Sequence, residues 1–373
     1  VMEQEKVVRM ARNLISHSVA LQPGENLLIE TFDGGVELAK ALIAEAQRVG
    51  GRAFLTIKSN EMIRALLLGA TREQVELTAQ FELARMQKMD AYIAIRGSAN
   101  SFELSDVPAE KMALYQQFYQ KPVHNEERIN NTKWCVMVYP SGAFAQKAGM
   151  STEAFEAFYF DVCGLDYAKM GRAMDALVDY MNKTDKVRIL AQDTDITFSI
   201  RDFPAVKCYG RRNIPDGEVY AGPVPGTANG YITYNVPCDY MGFVYDKVHF
   251  EFENGVIVRA SGNDSEKVNR LLDMDEGARR LGEFAIGVNP CIHRPLVNTL
   301  FDEKMTGSIH LTPGNAYAAS NNGNKSAIHW DLVQLHTPPY GGGEIWFDGV
   351  LIRKDGRFVV DELLCLNPEH LID

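Results

Sequence analysis

Helical and strand-like patterns alternate along the first half of the chain. Apolar residues recur at helical spacing over residues 3–20, 35–51 and near 109–119. Between these helices, mainly apolar runs predict strands, namely NLLIET, AFLTIK, DAYIAIRG and KWCVMVYP. Repeated alternation of strand and helix is typical of parallel sheets with helical crossovers. The pattern therefore predicts a three-layer α/β domain with a largely parallel sheet.

The pattern changes to short alternating strands after a long helical stretch from Thr152 to Asn182. We place the domain boundary near residue 185, with an N-terminal α/β domain over 1–185. The C-terminal domain over 186–373 is predicted to be α+β, rich in antiparallel hairpins. Its hairpin turns are marked by three dipeptides between strand-like runs, Asn254-Gly255, Asp348-Gly349 and Asp355-Gly356.

Composition excludes several classes of partner for this chain of 373 residues. The formal net charge of −11, without a long basic run, argues against nucleic acid. No apolar stretch is long enough to span a membrane, and the first ten residues lack the apolar segment of a signal peptide, so we expect a cytoplasmic protein.

Six scattered cysteines indicate free thiols. No phosphate-binding glycine motif is present, which leaves a nucleotide cofactor without support.

The segment SAIHWDLV places a histidine and an aspartate two residues apart in an apolar run. In a β-strand, His329 and Asp331 point to one face while Ile328, Trp330 and Leu332 point to the other. A buried aspartate could hold a structural histidine, or both side chains could bind a metal. The motif alone leaves both readings open.

Other potential metal ligands occur in short segments of the same half. Each member has an ordinary structural reading, as a solvated turn residue, an outer helix position or a core histidine. Taken together, two histidines, an aspartate and two glutamates exceed the needs of one tetrahedral zinc and suit two ions that share a carboxylate. These five residues are Glu218, Glu283, His310, His329 and Asp331, and the same segments also contain Glu303 and Tyr317.

These segments resemble those of the thermophilic-type metalloaminopeptidases, the family of aminopeptidases T and S, over nearly the whole chain. That family orders its ligands as Glu, Glu, His and His-x-Asp. Here P-D-G-E-V supplies the first glutamate, and H-x-x-x-G-x-x-Y contains the first histidine. The hairpin segment EIWFDGVLIRKDGRFV also matches.

The resemblance implies a dinuclear metal site. Glu218 is the first choice for the bridging carboxylate, and the ligand types suit Zn²⁺, Co²⁺ or Mn²⁺. Glu303 would be the general base, although it stands seven residues before the histidine where the family has five. Tyr317 would stabilise the oxyanion. The implied metal ligands are Glu218, Glu283, His310, His329 and Asp331.

The function that this resemblance implies is removal of N-terminal residues from short peptides by a metal-activated water. It also implies a homodimer. The alternative is a ring-cleaving dioxygenase of the same fold, with one non-haem iron held by His310, His329 and Asp331. Glu218 and Glu283, which a single iron would not need, favour hydrolysis. A catalytically idle scaffold would not need to retain the ligands.

Overall fold

The computed structural model describes residues 2–100, 102–241 and 243–372. They form two compact units, the first running to Gly164 and including Gly210–Ile214, and the second comprising Leu165–Tyr209 and the chain from Pro215 onward. Within the described residues, no helix is long and apolar enough to cross a membrane.

Twenty strands run through the two units. They are β1 (Asn26–Phe32), β2 (Arg52–Lys58), β3 (Ala91–Arg96), β4 (Lys133–Val138), β5 (Lys186–Ala191), β6 (Thr194–Ser199), β7 (Val206–Cys208), β8 (Asn213–Ile214), β9 (Glu218–Ala221), β10 (Asn229–Thr233), β11 (Cys238–Tyr240), β12 (Phe243–Tyr245), β13 (His249–Glu253), β14 (Val256–Ser261), β15 (Leu281–Gly287), β16 (Ser308–Pro313), β17 (Val333–Leu335), β18 (Gly343–Phe347), β19 (Val350–Lys354) and β20 (Arg357–Phe358), counted over the described residues.

Helices of three kinds join these strands. The α-helices are α1 (Met2–Asn13), α2 (Val36–Arg48), α3 (Asn60–Leu68), α4 (Arg72–Met86), α5 (Ala109–Tyr115), α6 (Ile129–Asn131), α7 (Gly142–Lys147), α8 (Thr152–Cys163), α9 (Tyr167–Asn182), α10 (Ser265–Leu272), α11 (Thr299–Asp302) and α12 (Pro368–Leu371). Two π-helices cover Leu14–Ser18 and Gln116–Arg128, and short 3₁₀ turns cover Glu276–Arg279, Ala318–Ser320, Pro338–Tyr340 and Asp361–Leu366.

The first unit is built on a parallel sheet in the order β2-β1-β3-β4-β8. Every residue of β1 from Leu27 to Thr31 is buried, as is β3 from Ala91 to Ile95, because helices cover a parallel sheet that is formed by crossovers. The predicted α/β architecture of this part is confirmed.

The helical stretch predicted from Thr152 to Asn182 is two helices, because Gly164 ends α8 and the side chain of Asp166 caps the start of α9. Since α9 belongs to the second unit, the chain passes between the units at Gly164, about twenty residues before the boundary predicted near residue 185. A second departure lies between β3 and β4, where the predicted helix continues past residue 119 as a π-helix that contains Pro122.

Antiparallel sheets make up the second unit, as its alternating pattern predicted. One has eight strands in the order β14-β13-β10-β6-β5-β18-β19-β20, and another has five in the order β17-β16-β15-β9-β7. All three predicted hairpin turns join neighbouring strands here, and both residues of each turn have positive φ. Asparagine, aspartate and glycine adopt that conformation most readily, which explains the signal.

Candidate metal centre

One face of the five-stranded antiparallel sheet in the second unit carries three of the predicted ligands, Glu218, Glu283 and His310. Glu218 on β9 pairs with Gly287 on β15, and His310 on β16 pairs with Ala285 on β15. Glu283 lies two residues before Ala285 and four residues before Gly287 on β15, so its side chain points to the same face of the sheet as Glu218 and His310. A residue larger than glycine would not fit opposite Glu218, because Ser308 and the backbone of Met305 fill the space beside Gly287. The β-strand register thus assembles three distant residues.

The segment from Ile328 to Leu332 alternates as predicted but is not a regular strand. Ile328 and Leu332 are buried, as is Trp330 between them, whereas His329 and Asp331 are partly exposed on the other face. A single bridge joins His329 to Gly314, and regular pairing begins only at β17. The neighbouring strand β16 ends at Pro313, which has no N–H to donate, so the ladder is interrupted there.

The ligand atoms fall into two overlapping groups, in each of which they lie within 4.8 Å of one another. One group is Glu218, Glu283 and His310, and the other is Glu283, His329 and Asp331. Glu283 Oε1 lies 3.2 Å from His310 Nε2, while its Oε2 lies 3.4 Å from His329 Nε2. Glu283 therefore offers one oxygen to each group. Glu218, the first choice from sequence for a bridging carboxylate, turns Oε2 toward His310 and Oε1 toward Lys304.

Buried atoms without hydrogen bonds mark both groups. Within the described residues, Glu218 Oε2, Glu283 Oε2 and His329 Nε2 are buried and make no hydrogen bond, although carboxylate oxygens and imidazole nitrogens approach to 3.1 to 3.4 Å among them and their neighbours. His329 Nδ1 lies 2.7 Å from the carbonyl oxygen of Asn315, a contact that favours the tautomer with its Nε2 lone pair facing the carboxylates. Such convergent, unsatisfied lone pairs fit divalent cations.

The electrostatics of the metal-free site favour positive charge. Burial lowers the pKa of His310, but the charges of Glu218 and Glu283 outweigh it and raise this pKa to about 10. Burial also lowers the pKa of His329, which the charge of Asp331 and that of Glu283 raise to about 9. Burial opposes ionisation of Asp331, yet the charge of His329 holds the pKa of Asp331 well below its usual range. The site thus retains protons that a cation would displace.

Glu303, the predicted general base, lies beside both groups. Its carboxylate forms a further cluster with His310 and Asp331, with ligand atoms within 4.8 Å of one another. Burial raises the pKa of Glu303 to about 8 against the lowering charge of Lys304. Because His310 belongs to one group and Asp331 to the other, the Glu303 carboxylate lies close to ligand atoms of both groups.

Tyr317, the predicted oxyanion donor, lies at the edge of the site. Its ring centroid is 4.3 Å from that of His329, and the residue is half-buried. Burial, followed by the charges of Asp331 and Glu283, raises the pKa of Tyr317, so the hydroxyl stays protonated and can donate a hydrogen bond. All seven residues singled out from sequence thus lie at or beside one site.

Sequence reasoning missed four polar residues that support the site. Thr312 Oγ1 donates a hydrogen bond of 2.7 Å to Asp331 Oδ1. Lys304 forms ion pairs with Glu218 and Glu303, and Cys208 and Asp216 lie close to Glu218. The only sequence signals were the charged residues inside PDGEV and FDEKMTGSIH, which equally describe solvated turns.

Comparisons with known proteins agree with the geometry. Residues 3–338 match the profile of the family described as thermophilic metalloprotease (M29). Aminopeptidase T of Thermus aquaticus is 32% identical over 414 aligned positions, which cover 95% of this chain and 99% of that protein.

Two solved structures share the fold. Wild-type AmpT from Thermus thermophilus has a TM-score of 0.76 and 22% identity, covering 95% of this chain and 99% of its own. The 2,5-dihydroxypyridine dioxygenase of Pseudomonas putida KT2440 has a TM-score of 0.59 and 12% identity, covering 96% and 99%. Both likenesses concern the fold alone, so the chemistry must be argued from the site.

Proposed function

Because the chain belongs to the thermophilic metalloprotease (M29) family, we propose that it is a metallo-aminopeptidase that uses two divalent cations to remove N-terminal residues from short peptides. Glu218, Glu283 and His310 would hold one cation, and Glu283, His329 and Asp331 the other. Zn²⁺, Co²⁺ and Mn²⁺ all suit these ligands.

The distribution of the two histidines over different clusters of ligand atoms is the observation that carries this proposal. A mononuclear iron site of the alternative kind needs His310, His329 and Asp331 around one ion. Among the described residues, no cluster of converging ligand atoms contains both histidines. Glu283 and Asp331 each share one cluster with His310 and another with His329, and Glu283 turns a different oxygen toward each histidine. This arrangement supports two cations that share a carboxylate, as expected of a cocatalytic hydrolase.

Charge balance supports the same stoichiometry. Five carboxylates meet here, and the Lys304 ammonium offsets one of their negative charges. Two divalent cations would offset the other four while both imidazoles stay neutral, whereas a single cation would leave two negative charges to the protons that His310 and His329 hold in the metal-free site. Two cations therefore match the charge of the carboxylates without any protonated imidazole. The carboxylates are Asp216, Glu218, Glu283, Glu303 and Asp331.

The residues of the chain divide the catalytic work. Bound cations would polarise the scissile carbonyl and lower the pKa of the attacking water. Glu303 accepts the proton of that water and delivers it to the leaving amine, a role that its position between the two groups allows. The Tyr317 hydroxyl donates a hydrogen bond to the developing oxyanion at the edge of the site.

Hydrolysis of leucyl-p-nitroanilide, measured together with elemental analysis, tests the proposal. Protein stripped of metal should be inactive, and about two equivalents of Co²⁺, Zn²⁺ or Mn²⁺ per chain should restore activity. N-acetyl-leucyl-p-nitroanilide is the matched control substrate, because it lacks the free amine and should not be cleaved.

The dioxygenase alternative gives the opposite result in the same preparation. It predicts one iron per chain and oxygen consumption with 2,5-dihydroxypyridine, without release of p-nitroaniline. Replacing His329 with alanine should remove one cation under our proposal while the circular dichroism spectrum is unchanged, because the first unit lies outside the site. Iron-dependent oxygen uptake without peptidase activity would refute the proposed function.

A further inference from the structure

Lys304 is a buried lysine at the metal centre, and the proposed catalytic steps do not use it. The residue is 2% exposed, and its Nζ lies 2.6 Å from Glu303 Oε1 and 3.7 Å from Asp216 Oδ1. It also forms a close ion pair with Glu218 Oε1. A buried ammonium is stable only when it is paired in this way.

The same ammonium borders a third group of potential metal ligands. Cys208 on β7 pairs directly with Glu218 on β9, and the ligand atoms of Cys208, Asp216 and Glu218 lie within 4.8 Å of one another. A thiol with two carboxylates is a donor set that transition metals can bind. Lys304 contacts two members of this group, Asp216 and Glu218. Its ammonium is therefore a cation that already lies beside these ligands.

The ion pair with Lys304 also limits how Glu218 can bind a metal. Oε1 of Glu218 is held by Lys304, whereas Oε2 lies 3.2 Å from His310 Nε2. One oxygen is therefore committed to the ammonium and the other faces the metal group. Glu283, whose two oxygens face the two histidines, has no such restriction.

We infer that Lys304 is a positioning residue that acts as a built-in cation: it fills the position that Cys208, Asp216 and Glu218 would otherwise offer to a third metal ion, and it fixes Glu218 as a ligand through one oxygen. This inference rests on the proposed two-cation function. The ammonium is covalently attached to the chain, so it does not exchange with cations in solution and always contributes its charge to the third group. Exchangeable cations are therefore restricted to the other two groups of ligands.

Replacing Lys304 with alanine tests this inference through cobalt stoichiometry and absorption. Metal-free wild type should bind two Co²⁺ per chain without a thiolate-to-cobalt charge-transfer band in the near ultraviolet. Lys304→Ala removes the ammonium and leaves space, so it should bind a third Co²⁺ and show that band, since a coordinating thiol is deprotonated. The double variant Lys304→Ala/Cys208→Ala should lose the band.

The activity of the same variants separates positioning from a general structural role. With Glu218 and Glu303 no longer held, kcat should fall at least ~10-fold, a loss typical of removing a partner of a metal ligand. Co²⁺ binding should not weaken, because a repelling positive charge is gone. A merely structural lysine would lower kcat and cobalt affinity together.

Lys58→Met is the matched control for the loss of a largely buried lysine. Lys58 lies in the first unit, where its Nζ is 2.8 Å from the buried Glu30. This variant should reduce thermal stability while leaving cobalt stoichiometry and kcat at wild-type values.

Lys304→Met keeps the inference testable if the alanine variant does not fold. Methionine fills the space without charge, so we expect two Co²⁺, no thiolate band, undiminished affinity and the same ~10-fold loss of kcat. A folded Lys304→Ala that binds two Co²⁺ without the band, or a Lys304→Met with wild-type kcat, would overturn the inference. If wild type itself binds fewer than two Co²⁺ or cleaves no peptide, the proposed function fails instead.

Discussion

At the scale of single residues, two adjacent acids have different surroundings. The Asp302 carboxylate accepts hydrogen bonds from the backbone N–H groups of Leu296 and Asn298, at 2.7 and 3.2 Å. Burial raises the pKa of Asp302 to about 7 against these bonds. Glu303 instead contacts Lys304 and joins the cluster with His310. Asp302 thus stabilises the loop that contains Leu296 and Asn298, whereas Glu303 lies among the candidate metal ligands.

We therefore expect Glu303→Gln to lower kcat at least ~100-fold with little change in KM, because glutamine keeps the shape but cannot accept a proton. Asp302→Asn is the matched control and should be mild in kcat, since the Asp302 carboxylate bonds loop backbone and belongs to no cluster of candidate metal ligands among the described residues. Steady-state kinetics on leucyl-p-nitroanilide measure both. Near-normal turnover of Glu303→Gln together with loss in Asp302→Asn would show that the base has been misassigned.

At the scale of elements, strand β16 supplies both a ligand and the support of another ligand. His310 and Thr312 lie two residues apart on one face, and Thr312 donates to Asp331 on the irregular segment before β17. This bond spans the point at which the strand ladder is interrupted, so it compensates there for the lost backbone pairing. It fixes which lone pairs of Asp331 remain free.

Thr312→Val should weaken Co²⁺ binding about 10-fold, because outer partners of metal ligands orient them and valine has no donor. Valine matches the shape of threonine and suits a strand, so the fold should be retained. Thr312→Ser restores the hydroxyl and should recover most of the affinity. Equilibrium dialysis measures all three proteins, and equal affinities for valine and threonine would contradict a supporting role.

At the scale of the whole molecule, the metal centre couples stability to pH. The raised pKa values of His310 and His329 mean that their protons stabilise the metal-free fold fully below the unfolded value of about 6.5. That stabilisation is lost as pH rises through about 9 and 10. Glu303, with its pKa raised to about 8, acts in the same direction.

Removing the metals should therefore lower the melting temperature more at pH 9.5 than at pH 7.0. Bound cations replace these protons, so the loaded protein should change less over the same range. Calorimetry of chelated and cobalt-loaded protein at both pH values provides the measurement. His329→Gln, with one titrating group fewer, should narrow the difference, and an unchanged gap between the two pH values would argue against the coupling.

Association is a second property of the whole molecule, and we propose a homodimer. Apolar side chains are exposed on the first unit, with Ile57 65%, Met62 58% and Leu66 62% accessible around a groove of about 440 Å³. Such patches mark interaction surfaces. Sedimentation velocity should show a dimer. Leu66→Glu should weaken this dimer, whereas Lys40→Glu, at an exposed side chain of α2, should leave it unchanged. A wild-type monomer at micromolar concentration would contradict the proposal.

The sequence by itself determined the features that depend on neighbours along the chain. Alternation of strand and helix predicted the parallel sheet, and Asn-Gly and Asp-Gly pairs predicted three hairpins, because periodicity and turn chemistry are local. The resemblance to the thermophilic-type metalloaminopeptidases, and no local pattern, implied the set of side chains that converge at the centre. A break at one glycine was missed, so the chain enters the second unit about twenty residues earlier than expected.

Only the tertiary structure decided how those ligands are shared. Packing of the segment before β17 against the sheet brings His329 to Glu283, which also faces His310, and strand register brings Cys208 opposite Glu218. The charge on Lys304 became informative only when its burial among carboxylates was known, since an exposed lysine in the same segment would be solvated. Contacts between residues distant in sequence depend on register and packing, and the spacing of residues along the chain does not specify these.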